Sequence, residues 1–349
     1  MFLRKPQIGV GLDIGSSLIK VVEISGSGKT VTLTNYGIAT LLPEAIVEGE
    51  IMDRDVVIDT IRTLFDTKNI KKREVASAVS GRGVIVKKIL MERMKDSEAR
   101  ERIQWEAEQH IPFDINDVTL DFKILNPEAN AEQMEVLLVA VKNETVNSYL
   151  GLITSAGLSP TLIDIGFFAL QNAFEWNYTS PPGEVVALIN IGADVTSINV
   201  IKDHSPFFTR DLPTAGNQCL QLLQKNLGLS SEQAGALLKG ETLEGLSLEA
   251  SRPVFESFAS EFASGLERTF SFLSAAGEAI KVGQLYLAGG NANTPGLVEF
   301  LQQRFTIPTS ILNPLQRVTY DSRLFSGTST ARVAPILSAA VGLALREVL

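Results

Sequence analysis

Two segments of this chain repeat one local grammar, and the repeat limits what the whole can fold into. Gly11-Leu12-Asp13-Ile14-Gly15-Ser16-Ser17-Leu18-Ile19-Lys20 lies near the start, and Asn190-Ile191-Gly192-Ala193-Asp194-Val195-Thr196-Ser197 lies past the middle. Each closes one β-branched apolar run and opens another, Lys20 to Ile24 in the first case and Ile198 to Ile201 in the second. Apolar runs on both sides of a short Gly/Ser turn predict strand, turn, strand. Backbone N–H groups presented by such a turn form an anion-binding concavity. One such hairpin reads equally as an ordinary solvated turn; two in matching contexts predict related domains that hold a phosphate chain between them.

The 349 residues leave room for both halves, since a length prior of about 150 residues per domain gives two. A net charge of −9 argues against nucleic-acid binding, which needs a basic stripe. Cys219 is the only cysteine, and His110 and His204 are far apart in sequence. Disulfides within the chain, thiolate metal sites and histidine metal centres are therefore not expected, which fits a reducing compartment. The apolar stretches fall short of the roughly 20 residues that a spanning helix needs. Met1-Phe2-Leu3-Arg4-Lys5-Pro6 carries no signal-peptide core. The expectation is a soluble cytoplasmic protein with no direct membrane insertion.

Along the chain, Ile8–Asp13, Lys20–Ser25 and Val31–Ala39 predict a three-strand meander, with a second turn at Ser25-Gly26-Ser27-Gly28-Lys29. A helix over Asp53–Lys68 and strands Val75–Ser80 and Val84–Leu90 follow. Ser97 reads as the cap of a helix over Glu98–Gln109, with Ala99, Ile103, Ala107 and His110 falling on one side. Asp114–Leu125 and Gln133–Lys142 read as strands, Glu144–Ala156 as a helix, Leu158–Ile165 as a strand and Phe167–Glu175 as a helix. The breaker-rich Thr179-Ser180-Pro181-Pro182-Gly183 is the best domain boundary. Beyond it Val185–Ile191, Ser197–Lys202 and His204–Leu212 restart the meander. Helices then cover Thr214–Asn226, Ser231–Gly240 and Ser251–Gly277, the last with an aromatic stripe read as core. Gln284–Ala288 is a strand ending in Gly289-Gly290, and Ala334–Val348 reads as an amphipathic helix. The fold class is α/β.

Three turns carry the candidate chemistry. Asp13 sits at the mouth of the first hairpin, Ser16 and Ser17 in its turn, and Lys20 just beyond. A magnesium ion bridging phosphates takes a carboxylate and keeps several waters, so one aspartate beside a phosphate loop suits it, Asp13 acting through water. The hydroxyls donate to phosphate oxygens and Lys20 adds a point charge. The second hairpin offers Gly192, Ala193 and Thr196. At the third turn Gly289 and Gly290 let a flat group approach the backbone, with Asn291 following.

Hairpin, hairpin, then a Gly-Gly strand-to-helix junction resembles the actin, heat-shock-chaperone and sugar-kinase superfamily. That resemblance implies an actin-like, ribonuclease-H-like duplicated fold closing on ATP and Mg2+, with phosphates on the first two turns and adenosine on the third. A narrower resemblance is to the PilM family of type IV pilus assembly. It is carried by the Gly11–Val21 start, by Gln104-Trp105-Glu106-Ala107-Glu108-Gln109-His110-Ile111-Pro112-Phe113-Asp114, and by the end Val341-Gly342-Leu343-Ala344-Leu345-Arg346-Glu347. It implies a first domain over 1–183 plus 333–349, with an extra FtsA-type subdomain at about 84–158, and a second domain over 184–332. It further implies that Asp13, Gly15, Ser16, Ser17 and Lys20 form one phosphate loop, Gly192, Ala193 and Thr196 the other, and Gly289, Gly290 and Asn291 the nucleoside turn. Asp164 matches the position that orients the attacking water in actin-like ATPases; it reads equally as a cap of the following helix.

Two departures from the superfamily pattern bear on catalysis. Asn190 stands where an aspartate opens the second hairpin, which removes a charge that helps hold magnesium. In the ribose-binding helix Gly235 stands where an acid is expected, leaving Glu232 and Lys239 as stand-ins. Both point to nucleotide binding with slow or no hydrolysis. The family resemblance also implies partners: the cytoplasmic N-terminal tail of PilN, an inner-membrane protein, in a groove beside the extra subdomain, and pilus motor ATPases. It thus implies a place peripheral to the inner membrane. Val84, Ile85, Val86, Ile89 and Leu90 read either as groove lining or as core. A small-molecule kinase of the same superfamily needs a cleft base that only Asp164 and Asp194 suggest. An FtsA-like filament protein needs a basic amphipathic tail, which nothing around Arg346 supplies.

Overall fold

A computed structural model describes residues 7–27, 30–130, 132–243, 248–275 and 281–349. The turn predicted at Gly28-Lys29, the N-terminal six residues and Gly277 lie outside the described residues. The first sheet grows from β1 (Gln7–Ile14), β2 (Leu18–Ser27) and β3 (Thr30–Thr40), the predicted antiparallel meander. After the short ladder of β4 (Ile46–Val47) and β5 (Glu50–Ile51) comes α1 (Arg54–Thr67), capped by the Asp53 carboxylate. Then β6 (Glu74–Val79) adds to β1 in parallel. The β1 strand is buried along most of its length, as expected of a strand covered on both faces.

A separate three-stranded sheet is inserted next, from β7 (Val84–Glu92), β8 (Val118–Asn126) and the central β9 (Gln133–Lys142). The helix α2 (Asp96–Glu108) buries Ala99, Ile103 and Ala107 against this sheet. It begins at Asp96 with Lys95 as cap rather than after Ser97. The next helix, α3 (Asn143–Ser155), lies outside this insert, because Tyr149, Leu152 and Ile153 pack in the first domain's core. The inserted sheet itself ends with β9 at Lys142.

The strand β10 (Ser159–Ile165) returns to pair with β6, and α4 (Gly166–Asn177) crosses to the second half. There β11 (Val185–Ile191), β12 (Thr196–Lys202) and β13 (Ser205–Leu212) rebuild the meander. The helices α5 (Gly216–Leu227), α6 (Ser231–Leu238) and α7 (Leu248–Ala275) follow, then β14 (Gln284–Ala288), parallel to β11, α8 (Leu297–Phe305) and β15 (Thr309–Ile311). The aromatic stripe of α7 is core, with Phe255, Phe258 and Phe262 buried. The chain rejoins the first sheet through β16 (Thr319–Tyr320), parallel to β3. That crossing comes before residue 333, where the sequence reading put it. Both sheets are three-strand meanders extended in parallel beside their first strand, the duplicated actin-like architecture.

After α9 (Thr330–Val333) and a 3-10 turn, the chain ends in α10 (Ser338–Arg346). The predicted amphipathic helix over Ala334–Val348 is instead buried nearly all round, from Ala340 through Leu345. It lies between β1 and α4, where glycines let backbones touch. A Cβ on Gly11 would stand 2.0 Å from the Ala340 carbonyl oxygen, and one on Gly342 would stand 1.7 Å from that of Ala169. On its other side α4 sets Leu170 and Phe174 against Val186 and Leu188 of the second sheet. This helix pair is the shared wall of the two domains. Among the described residues no helix is long and apolar enough to cross a membrane.

Candidate functional site

The two hairpins close with one and the same bond. The Gly15 amide donates to the Leu18 carbonyl at 3.1 Å, and the Gly192 amide to the Val195 carbonyl at 3.1 Å. Both four-residue turns face a cavity of about 350 Å³ between the domains. The third turn is tied to the second: the Asn291 amide group donates to the Gly192 carbonyl at 2.7 Å, and its backbone N–H to Ile191 at 3.2 Å. At Gly289 φ is +93°, and a Cβ would stand 2.5 Å from the Asn190 Oδ1. Only glycine tolerates that combination.

Asp13, Gly15, Ser16, Ser17, Lys20, Asn190, Gly192, Ala193, Lys239, Gly289, Gly290 and Asn291 all line this cavity. Asp13 and Lys20 form an ion pair at 2.9 Å across the first hairpin. The Tyr149 phenol, also in the lining, is pushed up to about 12 by burial and by the Asp13 charge, so it stays protonated and donates to the Gly49 carbonyl. Gly235 faces the cavity with nothing within 4 Å of where a Cβ would be. That leaves open space where the missing acid would stand.

Three expected site residues lie elsewhere. Thr196 is fully buried, and its hydroxyl donates to the Thr214 carbonyl at 2.8 Å; it braces the turn from behind. Glu232 is exposed and outside the lining. Asp164 points into a second cavity, and the interdomain cavity is lined at that point by Ser80, Gly81 and Gly166. It caps nothing remote either, its Oδ1 accepting from the adjacent Ile165 amide at 2.8 Å.

The second cavity, about 430 Å³, runs between the inserted sheet and α4. One wall is the face of β8 and β9 that carries Thr119, Lys123, Leu137 and Val139; the other is Phe168, Gln171 and Asn172 of α4, with Asp164 and Arg346 beside them. His204, from the β12–β13 turn, and Pro206, at the start of β13, complete it. None of the apolar β7 residues considered for a groove lines it. Val84 and Val86 pack on the first domain's core, Ile85 and Ile89 on the insert's core, and Leu90 is 52% exposed.

Burial raises the Asp164 carboxyl above its usual range, and the Ile165 amide, Arg346 and Asn172 pull only partly the other way. A carboxyl raised on folding gives the fold an advantage in its protonated form, and that advantage is lost as pH rises through the folded value. The ionised group is thus a cost at neutral pH. Asp164→Asn is expected to raise the melting temperature at pH 7 by about 1–2 °C, the shift that roughly 1 kcal/mol produces in a chain of this length. In thermal scans across pH the gain should shrink toward pH 4; a lower melting temperature at pH 7 would show instead that the ion pair with Arg346, 3.4 Å away, outweighs burial.

Asp211 was not singled out from sequence. It lines the interdomain cavity on β13, and its Oδ1 is buried with no hydrogen-bond partner. Burial raises this carboxyl too, with the Ser197 hydroxyl lowering it by a smaller amount. Among the described residues no three His, Cys, Asp or Glu side chains gather into a metal cage. Magnesium is held by one or two carboxylates plus phosphate oxygens and water rather than by such a cage, and Asp13 with the unpartnered Asp211 oxygen fits that donor set.

Comparison with known proteins gives a family match and a fold match. The family described as type IV pilus assembly protein PilM matches residues 11–348. A solved PilM–PilN type IV pilus biogenesis complex contains a chain 28% identical to this one, with a TM-score of 0.84 and 98% of each chain covered. The ethanolamine utilization protein EutJ from Carboxydothermus hydrogenoformans is 15% identical, with a TM-score of 0.56 over 98% of this chain and 91% of its own. MreB 5 of Spiroplasma citri, solved bound to AMPPNP, is 13% identical, with a TM-score of 0.53 over 97% and 94%. The last two similarities concern the fold alone.

Proposed function

This chain belongs to the PilM family of type IV pilus assembly proteins, and from that membership we propose that it is a nucleotide-responsive adaptor, binding ATP with magnesium in the interdomain cavity and the N-terminal tail of PilN in the second. Asp13, Lys20, the turn amides and the Ser16 and Ser17 hydroxyls would hold the metal–phosphate group, and Gly289, Gly290 and Lys239 the nucleoside side. Magnesium supplies charge neutralisation of the phosphates. The solved complex with PilN supports the partner, and an extended tail could add its backbone to the groove wall while side chains fill the apolar part. Asp164, the expected water-orienting acid, lines the second cavity and not the interdomain one, which supports binding with little hydrolysis.

One observation carries the adaptor reading: the β12–β13 hairpin lines both cavities. At its root Ser197 and Asp211 face the interdomain cavity, and at its tip His204 and Pro206 face the groove. Strands of this length span roughly 20 Å. The tip turns through Asp203 and His204, at φ 49° and 62°, a tight turn of the hairpin type. It is fastened to both neighbours. The Gln171 amide group on α4 donates to the His204 carbonyl at 3.1 Å, and Lys88 of the inserted sheet lies 4.9 Å over the Phe207 ring. A movement of the second sheet on nucleotide binding is thereby passed to a wall of the groove.

Calorimetry tests this with ATP and Mg2+, with a synthetic PilN N-terminal peptide, and with both. The expected result is that each ligand changes the affinity of the other by about 5-fold or more, the low end of ordinary coupling, and by the same factor in both directions. Nucleotide binding without peptide binding removes the partner; independent binding of the two removes the adaptor.

A further inference from the structure

The second hairpin has lost the acid at position 190, and its cross-strand neighbour is Ser197. Neither strand carries a carboxylate, and Asp194, in the turn between them, lines the cavity with its Oδ1 accepting from the Asn217 amide group. One strand further the register sets Asp211 opposite Ser197. Directly opposed residues on neighbouring strands project from the same face, so Asn190, Ser197 and Asp211 form one polar row. All three line the interdomain cavity together with Asp13.

Within that row Asp211 is the residue left unsatisfied. Its Oδ1 is buried and has no partner, while the Ser197 hydroxyl serves the carboxylate from the neighbouring strand. An unpaired buried carboxylate oxygen is costly, and an ion or water that completes it is one of the ways a native fold accounts for such a group. We propose that Asp211 is the second domain's positioning carboxylate for a magnesium nucleotide, taking over from the neighbouring strand the role that Asn190 no longer fills. Magnesium keeps several of its waters when bound to phosphates, and the free Oδ1 would accept from one of them. The assignment rests on the nucleotide reading and adds to it a residue and a task. The carboxylate anchors the metal–phosphate group to the second domain, so closure depends on the metal as well as on the nucleotide.

The test measures ATP binding by calorimetry in Mg2+ and in EDTA, with Mn2+ binding in the presence of ADP followed by electron paramagnetic resonance. For Asp211→Asn the expected result is unchanged affinity in EDTA and about a tenfold loss in Mg2+, the loss of one charge-assisted hydrogen bond. Weaker Mn2+ binding and an apo melting temperature no lower than wild type should accompany it. Adding Asn190→Asp to Asp211→Asn should restore most of the magnesium-dependent gain, since the two positions share one row. A full magnesium-dependent gain in Asp211→Asn overturns this assignment and leaves nucleotide binding standing. So does equal loss in EDTA and in Mg2+, which marks a structural role. Wild-type protein that binds no ATP in either buffer overturns both readings.

Discussion

Gly342→Ala is expected to destabilise the protein by about 3 kcal/mol or more, at the upper end of overpacking costs, and to lower the melting temperature by roughly 4 °C or more. The added Cβ would lie 1.7 Å from the Ala169 carbonyl oxygen, 2.7 Å from its carbon and 3.1 Å from the Ala173 nitrogen. All three are backbone atoms of α4, so no side chain can rotate away. The helix cannot retreat either. On its opposite side Cβ atoms at Gly11 and Gly9 would stand 2.0 and 2.2 Å from the Ala340 and Ala344 carbonyl oxygens, so α10 already rests on the backbone of β1. Relief requires moving α4, which also carries Leu170 and Phe174 into the second sheet. Gly235→Ala is the control, in a helix with nothing within 4 Å of the new Cβ. There the substitution should be neutral or stabilising by a few tenths of a kcal/mol to about 1. A Gly342→Ala variant that melts with wild type in thermal scans would show that the two helices are not in backbone contact.

The same helix marks where the sequence stopped being readable. The twin hairpins were legible because their signals are local: period-2 apolar runs on both sides of a Gly/Ser turn, and the structure closes both with the same bond from glycine N–H to carbonyl. The α10 segment carries small residues whose spacing looks amphipathic, and its burial depends on Gly9 and Gly11 at the other end of the chain. No local window contains that information.

The site was legible to the same extent. The turn residues of all three loops come together because each is fixed by its own turn. Asp164 was placed correctly at a strand end but assigned to the wrong cavity, since successive residues on a strand face opposite ways and one step of parity exchanges the faces. Glu232 and Lys239 share a face of α6 at a spacing of two turns, yet two turns of helix separate them by roughly 10 Å, and only the later one reaches the cleft. Asp211 had no local mark at all. Its place follows from the pairing of β13 with β12 and of β12 with β11, two registers that the sequence does not print.

The ion pair of the first hairpin leads to the second large effect. Lys20 is 12% exposed and Asp13 22% exposed, with 2.9 Å between them, so each charge is held in place by the other. Asp13→Asn keeps the shape and removes the carboxylate. In Mg2+ the variant should bind ATP about 10- to 100-fold more weakly than wild type, because the carboxylate that would meet the metal's water shell from the first hairpin is gone. In EDTA the change should be reversed. Lys20 is then unpaired beside the phosphate loop and free to meet a metal-free nucleotide, so affinity should rise by up to about tenfold, the worth of one charge-assisted hydrogen bond. The affinities in the two buffers should converge, and calorimetry at fixed ionic strength measures both. Equal loss in the two buffers would mean that Asp13 does no more than hold Lys20 and the turn in shape. An undiminished magnesium gain would move the metal away from the first hairpin altogether, and with it the reason for a carboxylate at the mouth of that turn.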